Sequence, residues 1–395
     1  MNAGLSTSVI QRGQSGVAQY VFALVAAIAR HPARPDLTLF VLENDVPLFD
    51  FARENTRIVP VSEKFRSPAK NILWHQTVLP WLARAHRLDV LHVPSYRRML
   101  WPRPCALVTT IHDLAPFHVP GKYDWKRMFY GRVVARRLAH RQERVIAVSQ
   151  NTGDDILGFF KLPVGKISVI HNGLDHTRFF PGSIEASQRF VAERYDLLNP
   201  FFLYVARLEH PGKNHVRLIR AFNRFKAETR SEWQLVFGGS DWHGADAIHA
   251  AIGESPFRRE IRCLGFVENN ALPILYRAAS VFVYPSLFEG FGFPPLEAMA
   301  CGCPVLSSTR GALREIVGDA ALTVDPENVP ALQARLAALA SDPALRAKLR
   351  TAGLTRARRF DWQRTASKTL AVYAAAVATE TAPGRVATAR EAIRN

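Results

Sequence analysis

Short apolar runs alternate along the chain with longer stretches in which apolar and polar residues are mixed. The short runs predict buried β-strands, and the longer stretches predict amphipathic helices. This alternation is typical of a parallel sheet covered by helices. The first series predicts strands at Leu37–Glu43, Val90–Val93, Ala106–Ile111, Val145–Val148 and Ile167–Ile170.

A second series begins after a polar, turn-forming stretch near residues 172–185. It predicts strands at Phe201–Ala206, Gln234–Gly238, Ile261–Gly265, Val281–Tyr284 and Pro304–Ser307. Because 395 residues exceed what one hydrophobic core usually spans, we predict two Rossmann-like α/β domains. The predicted segments are an N-terminal domain of residues 1–175, a C-terminal domain of residues 176–362, a helix over residues 363–378 and a disordered tail over residues 379–395.

The start of the chain fits this plan less well. A glycine-containing loop, Arg12–Ala18, precedes a predicted helix, Gln19–Arg30, as at the start of many Rossmann-like domains. The residues before the loop, Asn2–Gln11, have little of the pattern of a buried strand. Either the first strand is irregular or the chain starts several residues late. The second alternative is favoured, because a missing central strand would destabilise the fold.

The most unusual feature of the composition is its positive charge. The formal net charge of +17 favours nucleic acid, an anionic membrane surface or phosphorylated substrates as partners. The sequence has none of the zinc-finger, zipper or aromatic-sheet motifs of nucleic-acid-binding proteins, so we expect no nucleic acid partner. A phosphorylated substrate together with a membrane surface is the better interpretation, although the arginine usage of a GC-rich genome would explain part of the charge.

Two further observations concern the compartment. No run approaches the about 20 apolar residues that cross a bilayer. The four cysteines, Cys105, Cys263, Cys301 and Cys303, have the spacing of neither a disulfide framework nor a tetrahedral zinc site. We therefore expect a cytoplasmic protein, with peripheral contact at the inner face of the membrane as an option.

The most informative segment is Tyr284–Ser308, which predicts a strand, a glycine-rich turn, a helix and a further strand. Its Pro-Pro pair fits the first turn of a helix, where a missing N–H does no harm. Gly290 and Gly292 let the backbone approach a ligand closely. The free amides of the helix that begins near Phe293 would then face a phosphate.

Two glutamates accompany this segment, Glu289 before the helix and Glu297 about one turn inside it, with seven residues between them. The segment resembles the family-four retaining glycosyltransferases of the GT-B fold, in which two Rossmann-like domains face each other across a cleft and a C-terminal helix crosses back to the N-terminal domain. The resemblance implies that Glu289 contacts hydroxyls of the donor sugar and that Glu297 holds the ribose of the nucleotide. A solvated helix face is the alternative for two glutamates, and the surrounding motif disfavours it.

A second motif, Tyr204–His215, follows the first predicted strand of the C-terminal domain. Arg207 and Lys213 lie on the predicted loop at the carboxyl edge of the sheet, where two cations suit a diphosphate. The family has an arginine and a lysine in these places, so the resemblance implies that they neutralise the leaving nucleoside diphosphate. Because that arrangement replaces a metal ion, we expect no obligatory metal and no cofactor beside the nucleotide-sugar donor.

The N-terminal domain offers His112, at the end of a predicted strand in Thr109–Leu114. A lone histidine at a strand end is usually structural, but the resemblance implies that His112 lies near the donor sugar and the acceptor. There its imidazole can hydrogen-bond a sugar hydroxyl. The loop Gly13–Gly16 resembles the first glycine-rich loop of the family, although Ala18 stands where many relatives have a further glycine.

The resemblance covers the chain from about residue 12 to residue 377 and implies a full set of site residues. The catalytic residues are His112, Glu289, Arg207 and Lys213. The donor-binding residues are Gly16, Arg207, Lys213, Gly239, Val267, Glu289, Gly290, Phe291, Gly292, Phe293 and Glu297. No metal ligand is among them.

A basic stretch, Lys122–Arg144, contains Trp125, Phe129 and Tyr130 among its arginines and lysines. If helical, it could rest on anionic lipid with its aromatic side chains at the headgroups, each cation contributing on the order of 1 kcal/mol. An ordinary solvated helix face with the aromatic side chains in the core is an equal alternative.

The resemblance therefore implies a hexosyltransferase similar to bacterial mannosyl- and glucosyltransferases of surface polysaccharide synthesis. GDP-mannose is the first donor hypothesis and a UDP-hexose the second, with a saccharide or polyprenyl-linked saccharide as acceptor. Domain closure would exclude water. Two alternatives stay open: a nucleotide-sugar epimerase of the same fold, and a catalytically silent subunit that supports another transferase.

Overall fold

The computed structural model describes residues 1–13, 15–118 and 128–381. These residues form two compact units. The N-terminal unit consists of residues 1–114, 128–173 and 361–381, and the C-terminal unit of residues 115–118 and 174–360. Each unit is an α/β layer structure built on its own parallel sheet.

The N-terminal unit contains a seven-stranded parallel sheet with the strand order β3-β2-β1-β4-β5-β6-β7. The chain adds strands on one side of β1 as far as β3 and then adds β4 on the other side. Its direction of travel through the sheet thus reverses between β1 and β4. The strands are β1 Asn2–Ser6, β2 Asp36–Leu42, β3 Thr56–Val61, β4 Val90–Val93, β5 Ala106–Ile111, β6 Arg144–Ala147 and β7 Ile167–Val169.

The first strand corrects the expectation for the start of the chain. Residues 2–6 form a regular central strand that pairs in parallel with β2 and β4. Ala3 and Leu5 are fully buried, and Gly4 lies against Leu88 and Leu91, so these small residues fill the space between the helices on both faces. The prediction that residues 2–11 lack a regular strand is therefore wrong. Small residues carry too weak a hydrophobic signal to mark such a strand in the sequence.

Helices cover this sheet on both faces. Helix α1 begins at Gly16, three residues before the predicted start, because the hydroxyl of Ser15 accepts a hydrogen bond from the amide of Ala18 and caps the helix. The α-helices are α1 Gly16–Ala29, α2 Pro68–Ala85, α3 Arg136–Arg141 and α4 Gln150–Asp155. Further pieces with 3-10 or π-helical geometry are Gln11–Gly13, Glu43–Asn55, Glu63–Phe65, Tyr96–Arg98, Tyr130–Ala135, Ile156–Phe160 and Val164–Lys166.

The terminal helix, Trp362–Thr381, belongs to the N-terminal unit. Ala366, Leu370, Tyr373 and Ala376 are buried in the same hydrophobic cluster as residues of β1 and α1. The helix extends three residues beyond the predicted one, so residues 379–381 are helical and the prediction of disorder from residue 379 is wrong for them. The rest of the predicted tail, residues 382–395, lies outside the described residues.

The C-terminal unit contains a six-stranded parallel sheet with the order β10-β9-β8-β11-β12-β13, and its direction reverses between β8 and β11. The strands are β8 Phe201–Val205, β9 Gln234–Gly238, β10 Ile261–Cys263, β11 Val281–Tyr284, β12 Val305–Ser308 and β13 Leu322–Val324. The helices are α5 Ile184–Tyr195, α6 His215–Thr229, α7 Ala245–Gly253, α8 Leu272–Ala278, α9 Phe293–Ala300, α10 Leu313–Val317, α11 Val329–Ser341 and α12 Pro343–Ala357. Three-residue turns lie at Ala115–Phe117, Arg258–Glu260 and Gly318–Ala320. Among the described residues, no helix is both long and apolar enough to span a membrane.

Candidate active site

Three charged residues of the C-terminal unit lie near the position where the strand order of its sheet reverses. The loop after β8 carries Arg207 and Lys213, and the turn after β11 carries Glu289. Ligands of open parallel sheets bind at the carboxyl ends of the strands on either side of such a reversal. The topology therefore places these side chains at the edge where a ligand is expected.

Glu289 is the centre of a hydrogen-bond cluster. Its Oε1 accepts from Lys213 Nζ at 2.6 Å, from Ser286 Oγ at 2.6 Å and from the hydroxyl of Tyr284 at 3.1 Å. All four residues lie on the two strands at the reversal or on the loops that follow them. Three donors on one carboxylate oxygen fix the position of the side chain.

Lys213 is held from two directions. The hydroxyl of Tyr204, on β8, donates to its backbone carbonyl at 2.5 Å, and its Nζ forms the ion pair with Glu289. The side chains of the ion pair are each 17% exposed. Burial is the largest single effect and acts to lower the pKa of Lys213. The charge and hydrogen bond of Glu289, together with Tyr204 and Glu209, outweigh it, so the pKa of Lys213 lies above the usual value. The ammonium is therefore charged at neutral pH.

Arg207 differs from Lys213 in being exposed, and its guanidinium lies over the ring of Trp242. The loops that carry these two residues continue the pairing of β8 and β9. The amide of Ala206 donates to Gly238 at 2.9 Å, and that of Leu208 donates to Ser240 at 3.0 Å. The extended ladder fixes the position of both loops.

Gly239 makes this ladder possible. Its φ is +148°, and a Cβ on it would overlap the backbone carbonyl of Ala206. Its amide donates to the carbonyl of Gly265 at 2.7 Å, and Val267 lies over the neighbouring Gly238. The structure thus brings together Gly239 and Val267, which the sequence predicted at the donor site.

Helix α9 directs its N-terminus to the same edge. Gly292 precedes the helix with φ +106°, and a Cβ there would lie 2.6 Å from Leu313 Cδ2. Of the first four backbone nitrogens, those of Gly292 and Phe293 carry a hydrogen, because Pro294 and Pro295 follow. Gly290 and Phe291 complete the buried turn that leads into the helix.

Glu297 lies further along helix α9, and its Oε2 accepts a hydrogen bond from the hydroxyl of Tyr276 at 2.9 Å. Burial raises the pKa of Glu297 to about 7, while the hydrogen bond from Tyr276 and the charge of Arg178 act to lower it. A carboxyl with such a pKa is poised to change its protonation state near neutral pH. Glu289 and Glu297, which the sequence predicted as a pair, are held by different partners.

His112 of the N-terminal unit follows β5. Its ring contacts the ring of Tyr20 edge-on, with centroids 4.7 Å apart. Burial lowers the pKa of His112 to about 4, although a hydrogen bond to the backbone of Pro94 acts to raise it, so the imidazole is neutral at pH 7. Its Nε2 is buried, and no described residue offers it a hydrogen-bond partner. Gly16, predicted to bind the donor, begins helix α1 of the same unit.

A buried polar network that the sequence analysis missed lies in the same unit. His92 Nδ1 contacts the hydroxyl of Tyr373 at 2.8 Å, and His92 Nε2 contacts the hydroxyl of Thr110 at 2.8 Å. Thr110 also contacts the hydroxyl of Tyr20 at 3.0 Å. Tyr373 belongs to the terminal helix, so the network joins that helix to the residue that contacts His112. Polar residues in apolar strands were the available signal, but their partners are 18 to 281 residues apart.

The sequence analysis also missed Tyr204, Tyr276, Tyr284 and Ser286, which hold the predicted site residues by hydrogen bonds. Among the residues that the structure describes, no cluster of His, Cys, Asp and Glu side chains has the arrangement of a metal site. All four cysteines are free thiols.

The basic stretch falls partly outside the described residues, which do not include Lys122, Trp125, Lys126 and Arg127. In the described part, Phe129 is 57% exposed, whereas Tyr130 is half-buried and donates a hydrogen bond to the carbonyl of Arg97. The two aromatic side chains thus have opposite environments.

Two family profiles match the chain. The family described as "Glycosyltransferase Family 4" matches residues 14–178, and the one described as "Glycosyl transferases group 1" matches residues 190–356. The O-antigen chain mannosyltransferase B of Escherichia coli is 31% identical over 302 residues, which are 76% of this chain and 78% of that protein.

Solved structures share the fold at lower identity. Sucrose-phosphate synthase from Thermosynechococcus elongatus is similar with a TM-score of 0.77 and 20% identity, over 96% of this chain and 100% of the other. HepE of Anabaena, in complex with UDP and glucose, is similar with a TM-score of 0.74 and 18% identity, over 95% of this chain and 99% of the other. These similarities establish a common architecture, with two Rossmann-like sheets, for all three chains.

Proposed function

The chain belongs to the family-four glycosyltransferases of the GT-B fold, and on that premise we propose its reaction. It transfers a hexose from a nucleoside diphosphate to a hydroxyl of a saccharide or polyprenyl-linked saccharide, with retention of the anomeric configuration. The product is part of a cell-surface polysaccharide. The observation that carries this proposal is the hydrogen-bond cluster of Glu289 and Lys213, with Arg207 on the same loop, at the reversal of the C-terminal sheet.

The cations have the charge that the leaving group requires. A nucleoside diphosphate gains negative charge as its bond to the sugar breaks, and preorganised donors stabilise that charge most effectively. Lys213 is charged and fixed by its ion pair, Arg207 offers a planar fork of donors, and the amides of Gly292 and Phe293 add the positive end of a helix. Because two cations and a helix terminus share this task, we expect no obligatory metal.

The bond changes balance within the substrates. The bond from the anomeric carbon to the phosphate oxygen breaks, and a bond from the same carbon to the acceptor oxygen forms on the same face. The acceptor proton passes to an oxygen of the leaving phosphate. Glu289 orients the sugar by accepting hydrogen bonds from its hydroxyls, since its carboxyl group is held in place by three donors.

Other residues bind the nucleotide and the sugar. Glu297 accepts hydrogen bonds from the ribose hydroxyls, and the turn Gly265–Val267 contacts the base. In the N-terminal unit, the buried Nε2 of His112 hydrogen-bonds a sugar hydroxyl, which would satisfy an otherwise unpartnered polar atom.

The identity of the donor rests on the comparisons. A relative that matches over three quarters of the chain is a mannosyltransferase of O-antigen synthesis, and this favours GDP-mannose. HepE, which shares only the fold, is in complex with UDP and glucose, so a UDP-hexose is the second hypothesis. A polyprenyl-linked acceptor would bring the protein to the inner face of the cytoplasmic membrane. The exposed Phe129, with Arg132 and Arg137 on the same stretch, is suited to peripheral contact with anionic lipid.

Donor binding and hydrolysis test the proposal. The purified full chain is incubated with GDP-mannose, UDP-glucose and UDP-N-acetylglucosamine, and nucleotide release is followed together with the melting temperature. We expect saturable stabilisation by one donor and slow nucleotide release. Glu289→Gln and Lys213→Ala should reduce the release at least a hundredfold, since each removes a group that acts in the transition state.

Matched controls separate this effect from a general loss of charge. Glu254 and Lys348 are exposed on the C-terminal unit, and Glu254→Gln and Lys348→Ala should leave release within twofold of the wild-type rate. Product analysis without an acceptor distinguishes an epimerase, which would convert the sugar without releasing it. Absence of binding to every donor would contradict the transferase and favour the silent subunit.

A further inference from the structure

The strand order of the N-terminal sheet also reverses, between β1 and β4. This position is equivalent to that of the proposed donor site in the C-terminal sheet. Ser6 ends β1, and the helical turn Tyr96–Arg98 follows β4, so both lie at the carboxyl ends of the strands. The rule that locates the donor residues at β8 and β11 thus locates a second ligand site here, in the unit that does not carry the diphosphate-binding cations.

Arg98 occupies this edge as a half-buried cation with neutral partners. Its Nε donates to Asn71 Oδ1 at 2.6 Å, and its Nη1 donates to the carbonyl of Arg97 at 3.4 Å. In the described part of the chain, no carboxylate lies within ion-pair distance of Arg98. Burial lowers the pKa of Arg98, and the charge of Arg97 lowers it further, whereas the neighbouring Tyr130 acts to raise it.

Arg66, in the same unit, is an arginine whose charge is paired by carboxylates, and it can be compared with Arg98. Its guanidinium donates to both carboxylate oxygens of Asp45 and to Glu63, and the hydrogen bond to Glu63 is the main reason that its pKa lies above the usual value. A half-buried guanidinium without such partners destabilises the fold unless an anion is supplied. The contrast indicates that the fold keeps Arg98 for a ligand.

The side chains around Arg98 keep the site free of negative charge. His75 contacts the carbonyl of Asn71 through Nδ1 at 2.7 Å, so Nδ1 carries the proton and Nε2 accepts from Ser6 Oγ at 3.0 Å. Burial lowers the pKa of His75 to about 3, so the ring is neutral. Asn71 is itself fully buried and donates to the carbonyl of Phe65 at 3.1 Å, which fixes the amide oxygen that orients Arg98.

We propose that Arg98 binds a phosphoryl group of the acceptor substrate at the β1/β4 edge of the N-terminal unit. The inference rests on the proposed transferase function and adds a chemical class for the acceptor. A guanidinium oriented through Nε presents its remaining N–H groups to a phosphate in forked geometry. Two sources provide this chemistry, a polyprenyl-phosphate-linked saccharide in the membrane and a soluble sugar phosphate.

Titration with inorganic pyrophosphate tests the site. The donor site is first occupied with saturating GDP or UDP, and binding of pyrophosphate to the full chain is measured by calorimetry. We expect Arg98→Gln to weaken this binding at least tenfold, because a charge-assisted hydrogen bond is lost. The same titration is repeated on Lys213→Ala, which lacks a donor-site cation. Pyrophosphate binding to this variant reports on Arg98 even if no nucleotide binds, so the result is independent of the donor-binding experiment.

Three variants keep the test interpretable. Arg57 is exposed on the edge strand β3, and Arg57→Gln should leave pyrophosphate binding within twofold. Arg98→Lys keeps the positive charge and serves as the second variant if Arg98→Gln fails to fold. Its affinity for pyrophosphate should lie between that of the wild type and that of Arg98→Gln. Asn71→Asp places a carboxylate beside the guanidinium without removing it, and should weaken binding as much as Arg98→Gln does.

Vesicles of phosphatidylcholine with and without undecaprenyl phosphate distinguish the two sources. Arg98-dependent binding to the phosphate-containing vesicles supports the membrane-linked acceptor. Arg98-dependent binding of pyrophosphate alone supports the soluble one. Pyrophosphate affinity that is equal in the wild type, Arg98→Gln and Asn71→Asp would overturn the proposal, as would the absence of saturable binding.

Discussion

The guanidinium of Arg207 lies 4.5 Å from the centre of the Trp242 ring, although both residues are on exposed loops and Trp242 is itself 55% exposed. The hydrogen-bond ladder between the two loops holds the ring in place, and the ring holds the plane of the guanidinium. A stacked guanidinium keeps its N–H groups available at its edge. Trp242 thereby positions the guanidinium of Arg207 without using its hydrogen-bonding groups.

Replacing Trp242 should weaken donor binding. A cation–π contact at an exposed site contributes about 0.5–1 kcal/mol, so Trp242→Leu should raise the Kd for the donor about two- to fivefold. Trp242→Phe keeps a ring and should have a smaller effect. Trp81 is 65% exposed on the N-terminal unit, so Trp81→Leu is the matched control and should leave the Kd unchanged. If Trp242→Leu has the same effect in the Arg207→Ala background as in the wild type, the two residues are not coupled.

The ion pair of Lys213 and Glu289 should separate stability from activity. Removal of one partner from a fully buried ion pair destabilises a protein by about 3–5 kcal/mol, because the other charge stays buried. The pair of Lys213 and Glu289 is largely buried, so Lys213→Met and Glu289→Gln should each lower the melting temperature of the C-terminal unit. The double variant should recover most of that loss while remaining inactive. Thermal melts and nucleotide release, measured on the same four proteins, check this. A double variant less stable than both single ones would contradict the pairing.

Glu297 should make donor binding pH-dependent. Its pKa is raised to about 7, and we expect the ribose to bind the carboxylate form, so the affinity for GDP or UDP should increase as the pH rises from 6 to 8. Tyr276→Phe removes a hydrogen bond that lowers this pKa and should move the midpoint to higher pH. Glu297→Gln should bind more weakly with a flat profile. A wild-type affinity that does not change between pH 6 and pH 8 would exclude this role.

The same pKa predicts a stability effect. A carboxyl whose pKa is higher in the folded than in the unfolded protein contributes stability that is complete below the unfolded pKa of about 4.5 and is lost as the pH rises through about 7. Glu297→Gln should therefore stabilise the C-terminal unit more at pH 8 than at pH 5. Melting temperatures at the two pH values measure the difference, with the exposed Glu254→Gln as control.

Two glycines with positive φ should respond differently to alanine. At Gly239 a Cβ would overlap the carbonyl of Ala206, so Gly239→Ala should break the loop ladder and abolish donor binding. At Gly265 no atom lies within 4 Å of the new Cβ, so Gly265→Ala should lower the free energy of unfolding only by the backbone strain of about 1 kcal/mol and leave the loop ladder intact, although it lies in the turn proposed to contact the base. Melting temperature and donor Kd distinguish the two variants. Equal effects at both positions would show that steric overlap is not what requires Gly239.

The sequence predicted the elements whose side chains are large and apolar. The strands Val90–Val93, Ala106–Ile111, Gln234–Gly238 and Val281–Tyr284 have the predicted bounds. Strand β1 was missed because Ala3 and Gly4 are small, and the edge strands β3 and β13 were missed as well. Short strands of this kind are stabilised by their neighbours in the sheet rather than by their own pattern.

The candidate site was predictable where its residues lie close together in the sequence, as in the segment that contains Glu289 and Glu297. Their partners were not predictable, because Lys213 is 76 residues from Glu289 and Tyr276 is 21 residues from Glu297. Arg98 was not singled out for a related reason. Arg98 has neutral neighbours because helix α2 packs against the turn after β4. No local sequence pattern encodes this packing.

The terminal helix has a consequence for how the protein is made. Tyr373 is fully buried and hydrogen-bonded to His92, and a Cβ on Gly173 would overlap the backbone of Trp362. During translation, the ribosome completes all of the C-terminal unit before it releases the residues that close the N-terminal core. A fragment ending at residue 360 would therefore retain a polar atom of His92 with no hydroxyl to bind, next to an open apolar surface. The first half of the gene alone does not encode a finished domain, and a split version of this enzyme would have to carry residues 361–381 with the N-terminal piece.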